Sequence, residues 1–323
     1  MNNAQSPLEI AQIGINSSDL AGSLRLFVEL GFQNAGGHMI WGQPMAIQGL
    51  PPSARGQLWW LSGRQRRVQL EFFHLTNPAQ RPLRDDWRCC DLGWIRFGIA
   101  APDLDAAKAV LARWDIPITG EMAQAGEPRR LAFRDPFSGC FVEIMEDSDV
   151  IPGGRAPHFH DAGPAVVYAT SSVSDLAAAR DYYSNVLELD VTDDLAIHGP
   201  EHEALWSLDG ARSESFVVKG GGFLLEIVQY LDPVGRPKAD DYTVADQGIL
   251  NVAIVSRDLA VVKKAVDRVR NAGWRASEMV TNGEAGGAYI PEPEREVEIG
   301  SLAEKDEAIF GYVPSTPFLG QMF

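Results

Sequence analysis

Four times along the chain a short apolar stretch ends in Asp-Leu and then changes rhythm. The phrases are "AQIGINSSDL" (Ala11 to Leu20), "RFGIAAPDL" (Arg96 to Leu104), "YATSSVSDL" (Tyr168 to Leu176) and "NVAIVSRDL" (Asn251 to Leu259). After the Asp, apolar residues recur at helical spacing: Leu20, Leu24, Phe27 and Leu30; Leu104, Ala107, Leu111 and Trp114; Leu259, Val262, Val266 and Val269. Such spacing predicts a strand followed by an amphipathic helix. Asp19, Asp103, Asp175 and Asp258 stand where a carboxylate accepts from the free N–H groups of a helix start. Beyond each helix, strand-like segments end in a strand carrying a glutamate: "VQLEFF" (Glu71), "CFVEIM" (Glu143), "FLLEIV" (Glu226) and "REVEIG" (Glu298). The Asp-to-Glu separations are 52, 40, 51 and 40 residues, so long and short units alternate. The pattern predicts an α+β fold of four βαβββ modules, a two-module unit that was itself duplicated.

The Pro-, Gly- and Asp-rich stretch 147–164, "DSDVIPGGRAPHFHDAGP", is the expected linker between halves 1–150 and 151–302. The tail 303–323 lies outside the repeat, and "IFGYVPSTPFLGQMF" is apolar enough to pack on a domain or on a partner subunit, which leaves a homodimer open. Within the linker, His158 and His160 share one face at i, i+2 spacing, as metal ligands or as exposed residues. "KGGGF" (Lys219 to Phe223) leads into a strand and not a helix, which makes it a hairpin turn and not a phosphate loop. A formal net charge of -16 argues against nucleic acid or an anionic membrane as partner. Nothing approaches the roughly 18 apolar residues of a membrane-spanning helix. Three cysteines, Cys89, Cys90 and Cys140, suit reduced thiols and a cytoplasmic location. The aromatic residues Trp41, Trp59, Trp60, Trp87, Trp94, Phe72 and Phe73 are core material by default; several of them around a pocket would favour an apolar or aromatic small molecule.

The strand, the Asp-Leu helix start and the closing phrase "DPFSGCFVEI" (Asp135 to Ile144) together resemble the vicinal oxygen chelate superfamily of glyoxalase I, bleomycin resistance proteins and extradiol dioxygenases. "EPEREVEI", "LFVELGF" and "YYSNVLEL" repeat parts of the same signature over residues 8 to 302. The resemblance implies two open β-barrels of two modules each. It also implies metal ligands at the strand heads, seven residues before each Asp, and at the closing glutamates. Taken in chain order, it places Gln12, Glu71, Arg96 and Glu143 in a first barrel and Tyr168, Glu226, Asn251 and Glu298 in a second. The first set matches the glyoxalase pattern at three of four slots; Arg96 departs, because a guanidinium has no lone pair for a metal and instead neutralises a glutamate or clamps a substrate carboxylate.

The expected activity is therefore metal-assisted proton transfer of lyase or isomerase type on a small oxygenated, partly apolar substrate. Glu143, Glu71 and Arg96 would be its catalytic groups, and Gln12, Glu71 and Glu143 its metal ligands. Arg96, Trp60, Phe72, Tyr168, His198 and His202 would contact the substrate. The cofactor is a divalent Zn, Ni, Mn or Fe ion, with no metal an equal alternative. The rival readings are a metal-free protein that sequesters small molecules and, weakened by the absence of a His pair at the slots, a ring-cleaving dioxygenase.

Overall fold

The computed structural model of the protein describes residues 7–152, 163–292 and 294–315. The first module comprises β1 (Glu9–Asn16), α1 (Leu20–Glu29), β2 (Gln33–Trp41), the single turn α2 (Gln43–Ala46), β3 (Arg55–Ser62) and β4 (Gln69–Asn77). The second comprises β5 (Gly93–Ala101), α3 (Leu104–Arg113), β6 (Ile118–Met122), β7 (Arg130–Arg134) and β8 (Phe141–Glu146). In the third, β9 (Ala165–Ser172) leads to α4 (Leu176–Asp181), which ends in a π-turn at Tyr182–Val186. There follow β10 (Asp190–Thr192), a 3-10 helix at Pro200–Trp206, β11 (Arg212–Lys219) and β12 (Leu224–Asp232). The fourth comprises β13 (Gly248–Ser256), α5 (Leu259–Asn271), β14 (Val280–Asn282), β15 (Ala285–Ile290) and β16 (Val297–Ser301).

The four aspartates cap their helices. Asp19 accepts from the Gly22 N–H at 3.0 Å, Asp103 from Ala106 at 2.9 Å, Asp175 from Ala178 at 2.9 Å and Asp258 from Ala260 at 2.7 Å. Each removes one orphan donor, an effect worth ~1 kcal/mol per helix. The long modules owe their length to what lies between their second and third strands, α2 in the first and the 3-10 helix in the third. "KGGGF" is the turn between β11 and β12, and all three cysteines are buried and free.

The strand order corrects the pairing expected from chain order. One sheet runs β14-β15-β16-β13-β1-β4-β3-β2 and the other β10-β11-β12-β9-β5-β8-β7-β6. The first module therefore joins the fourth along an antiparallel β1–β13 seam, and the second joins the third along β5–β9. The first and second modules meet through their helix-bearing faces instead: Phe27 of α1 stacks on Phe97 of β5 with ring centroids 6.1 Å apart, inside one apolar core drawn from all four modules. The physical reason is that β5, β9 and β13 are buried along their whole length and β1 nearly so. With both faces apolar, alternation carries no signal about which strand edge a seam will choose.

Of the expected linker, 153–162, with His158 and His160, lies outside the described residues; its near end is tied down by an Arg64–Asp147 ion pair. Among the described residues no helix is long and apolar enough to cross a membrane.

Candidate functional site

The barrel of the first and fourth modules is hollow. On β4, alternation turns Gln69, Glu71 and Phe73 inward and Leu70 and Phe72 outward to the helices. With Gln12, Trp60, Tyr289, Glu298 and Tyr312 the inward set lines a cavity of about 300 Å³ whose remaining wall is largely apolar, including Ile40, Leu58, Val255 and Phe310. Trp60 Nε1 donates to Glu71 Oε1 at 2.8 Å, and the Gln12 amide N–H donates to Glu71 Oε2. Gln69 Nε2 in turn donates to Gln12 Oε1 at 2.7 Å. Among the described residues no Lys or Arg lines this cavity. Burial, reinforced by the like charge of Glu298, pushes Glu71 up to about 8 despite its two donors. Burial lifts Glu298 to about 7.

The barrel of the second and third modules is full. His198 sits at its centre: Nδ1 lies 2.9 Å from Glu226 Oε2 and Nε2 3.0 Å from Glu143 Oε2, so one imidazole bridges two carboxylates. Arg96 donates to Glu226 at 2.9 Å and to Tyr230 OH at 2.9 Å, with Trp206 covering its guanidinium at 4.9 Å. Arg130 donates to Glu143 at 3.3 Å and Tyr168 OH to the same carboxylate at 2.5 Å. Burial alone would raise both acids, but His198 and Arg130 hold Glu143 at about 2, and His198 and Arg96 hold Glu226 well below the ordinary range. The reciprocal effect of the glutamates raises His198 above its usual value against the pull of burial.

Several expected groupings are thereby corrected. Gln12 and Glu71 share a barrel, but Glu143 and Arg96 lie in the other one, because the seams cross the sequence halves. Phe72 faces the helical core, its ring 5.2 Å from Phe27, since it is one residue out of phase with Glu71; Phe73 is the cavity residue. Trp60 does line the cavity. Tyr168 and His198 belong to the full barrel. His202 stands beside it with Glu127 and Glu201, a trio with ligand atoms close enough for a metal. Yet its Nδ1 accepts from the Gly199 N–H at 2.9 Å and its Nε2 faces Glu127 at 3.1 Å, so both ring nitrogens are engaged by protein.

No family model matches the sequence, and no curated protein does. Solved structures do match, over nearly the whole chain. A protein of Bacillus subtilis subsp. subtilis str. 168 assigned as a dioxygenase superposes with a TM-score of 0.63 at 12% identity, covering 99% of this chain and 95% of that one. Glyoxalase I from Zea mays superposes at 0.59 with 13% identity, covering 94% and 96%. The fold is that of the vicinal oxygen chelate proteins. In its terms, the slots of the hollow barrel are Gln12, Glu71, Asn251 and Glu298, and those of the full barrel Arg96, Glu143, Tyr168 and Glu226.

This regrouping removes Arg96 from the hollow barrel and leaves its four slots with amide and carboxylate groups alone. Asn251 is fully buried and does not line the cavity, so three of the four slots face the space. Gln69, His38 and Tyr312 also line it and were not foreseen from sequence. Gln69 was within reach, since it has the same strand parity as Glu71. Tyr312 was not, because it lies in the tail, where no repeat or period marks it.

Proposed function

We propose that the protein is an enzyme of the vicinal oxygen chelate fold that moves a proton next to a carbonyl, in lyase or isomerase fashion, with its site in the barrel of the first and fourth modules. The observation that carries this reading is the pair Glu71 and Glu298, raised to about 8 and about 7 in one cavity without a lining cation. Two acids displaced to neutrality, with different neighbours, are the arrangement general acid–base chemistry requires. Among the described residues Glu298 makes no ion pair and titrates the lower of the two, so it is the group assigned to take the proton. The Glu71 carboxyl, held by Trp60 and Gln12, keeps its proton at pH 7. Ile40, Leu58, Phe73, Val255 and Phe310 exclude water and fit a partly apolar or aromatic substrate.

The donor set also fits a divalent ion. Gln12, Glu71 and Glu298 offer three oxygen donors, and a cation would take the place of the protons these acids otherwise hold. Among Zn, Ni, Mn and Fe, an all-oxygen set suits Mn²⁺ best. When bound, such an ion polarises a substrate carbonyl. A second reading rests on a separate observation: both oxygens of Glu71 already accept from protein donors, so this carboxyl is held in place without a metal, as a binding protein would need. A ring-cleaving oxygenase has less support, since among the described residues the single lining histidine is His38, exposed and in contact with the Met39 carbonyl at 2.8 Å.

Metal analysis of the purified protein, paired with deuterium exchange at the carbon beside the carbonyl of 2-hydroxyacetophenone, separates the readings. The enzyme reading expects exchange that disappears in Glu298→Gln and a stoichiometric divalent ion that disappears in Glu71→Gln. A metal-free protein that binds the ketone without exchanging its proton overturns it in favour of sequestration.

A further inference from the structure

The chain does not stop at the last module. From Leu302 to Ser315 it leaves the fourth module and crosses to the first as a strap over the hollow barrel. Leu302 N–H donates to the Ser256 carbonyl at 2.8 Å, Arg257 donates to the Leu302 carbonyl at 3.1 Å, and Arg257 also pairs with Glu307. At the far end Ser315 N–H donates to the Asn34 carbonyl at 2.9 Å, beside β2. Between these anchors the strap contributes Leu302, Phe310 and Tyr312 to the cavity wall. Gly311 has a φ of +73° and lies flat on Trp60; a Cβ there would fall 2.4 Å from the indole. A residue without a side chain permits this approach, and the next side chain, Tyr312, is buried at 4% exposure.

The Tyr312 hydroxyl ends 3.3 Å from Gln12 Oε1, longer than the 2.7–2.8 Å usual for an O–H donor. Gln12 Oε1 already accepts a better-placed N–H from Gln69 at 2.7 Å. The phenol oxygen also lies within reach of the Gln69 amide, but as a donor the hydroxyl has only the distant Gln12 Oε1 among the described residues, and it faces the cavity that holds Glu71 and Glu298.

We infer that Tyr312, delivered by the C-terminal strap, is a catalytic residue whose hydroxyl donates to the substrate oxygen that gains negative charge when the adjacent C–H loses its proton. The inference rests on the proposed proton-transfer reading and adds its missing element: Glu298 takes the proton, and a neutral donor, not a lysine or arginine, steadies the resulting enolate oxygen. The strap thereby also sets the substrate class. A ligand must present its oxygen to Tyr312 while its apolar part lies along Phe310 and Phe73, which fits an aryl α-hydroxyketone or a planar enediolate of that size.

The probe is benzohydroxamate, whose paired planar oxygens imitate an enediolate, titrated calorimetrically into the full chain after EDTA treatment. The native protein is expected to bind it, and Tyr312→Phe to bind it about 10- to 100-fold more weakly, the effect of losing one hydrogen bond to a charged oxygen. The melting temperature should barely change. Gly311→Ala, which lifts the strap off Trp60 with the phenol intact, should weaken binding in the same way. Equal affinity in native protein and Tyr312→Phe, or no binding by the native protein, overturns the assignment. The failures of the two proposals are distinguishable. Loss of 2-hydroxyacetophenone exchange in Glu298→Gln but not in Tyr312→Phe sinks Tyr312 and spares the proton-transfer reading. Native protein without any exchange, yet with Tyr312-dependent hydroxamate binding, sinks the proton-transfer reading and the catalytic role with it, and leaves Tyr312 as a ligand-binding donor only.

Discussion

The two barrels of this protein are built from corresponding modules and carry a glutamate at the same two positions, yet one is hollow and the other is filled by its own side chains. The difference begins with the insertion between the second and third strands of each long module. In the hollow barrel that insertion is α2 and the turn after it, which stay at the wall through Pro44, Ile47 and Gln48. In the full barrel it is the segment around the 3-10 helix Pro200–Trp206, whose Leu205 carbonyl accepts from Thr119 at 3.0 Å. From this segment His198 and Trp206 lie inside the barrel, against Glu143 and Arg96. The electrostatic result is opposite proton affinity for the same residue type: Glu71 at about 8 and Glu298 at about 7 on one side, Glu143 at about 2 on the other. Burial is common to all of these acids. What decides the sign is whether a cation was built in beside them.

The largest expected effect tests which barrel works. Glu298→Gln should lower exchange at the carbon beside the carbonyl of 2-hydroxyacetophenone by about 10²–10⁴-fold, the usual contribution of a general base. Glu143→Gln in the full barrel should leave exchange at the native rate while lowering thermal stability. Equal losses of exchange in both variants would erase the distinction.

Next is the structural role of the full barrel. His198→Ala leaves Glu143 and Glu226 short of one buried cation and should cost about 3–5 kcal/mol in a denaturant titration. The folded pKa of His198 lies above its ordinary value. Its stabilisation is therefore complete below that ordinary value and is lost as pH rises through the folded one. The gap between native and variant should be widest near pH 6 and narrow on the alkaline side; a gap independent of pH would show that the imidazole acts by packing alone.

The hollow barrel should respond to pH differently. Glu71 binds its proton more tightly folded than unfolded, so native stability falls as pH rises between the ordinary glutamate value of 4.5 and about 8. Glu71→Gln removes that slope and should be the more stable protein at pH 8, by a few kcal/mol. Loading with Mn²⁺ should flatten the native slope as well, since an ion replaces the proton. Native and variant stabilities that run parallel over this range would contradict the raised affinity.

How far the sequence reached follows from these same residues. The four modules, the helix caps and the closing glutamates were legible, because each is a local pattern: Asp19 accepts from the N–H three residues ahead of it, and Glu71 sits in a strand whose alternation is visible. The grouping of modules was not. Arg96 and Gln12 occupy equivalent strand heads, and nothing in a strand buried on both faces says whether β1 will pair with β5 or β13. Phe72 went astray for a smaller reason that was available, its parity against Glu71. His198 and Tyr312 come from an insertion and a tail, the parts of a repeat protein that its period does not describe.

The smallest expected effect compares one tryptophan from each barrel. Trp60 Nε1 donates to Glu71 at 2.8 Å, whereas Trp206 Nε1 in the full barrel is buried without a hydrogen-bond partner among the described residues. A donor on a carboxylate favours the ionised form, so Trp60→Phe should raise the proton affinity of Glu71 by about one further pKa unit, an effect of ~1 kcal/mol. The pH range over which native stability declines should extend upward accordingly. Trp206→Phe removes ring area and leaves no acceptor unpaired, so it should lower stability by a similar amount at every pH. If both variants shift the pH dependence, or neither does, the indole N–H is not what sets Glu71 apart, and the contrast between the barrels must rest on burial and Glu298 alone.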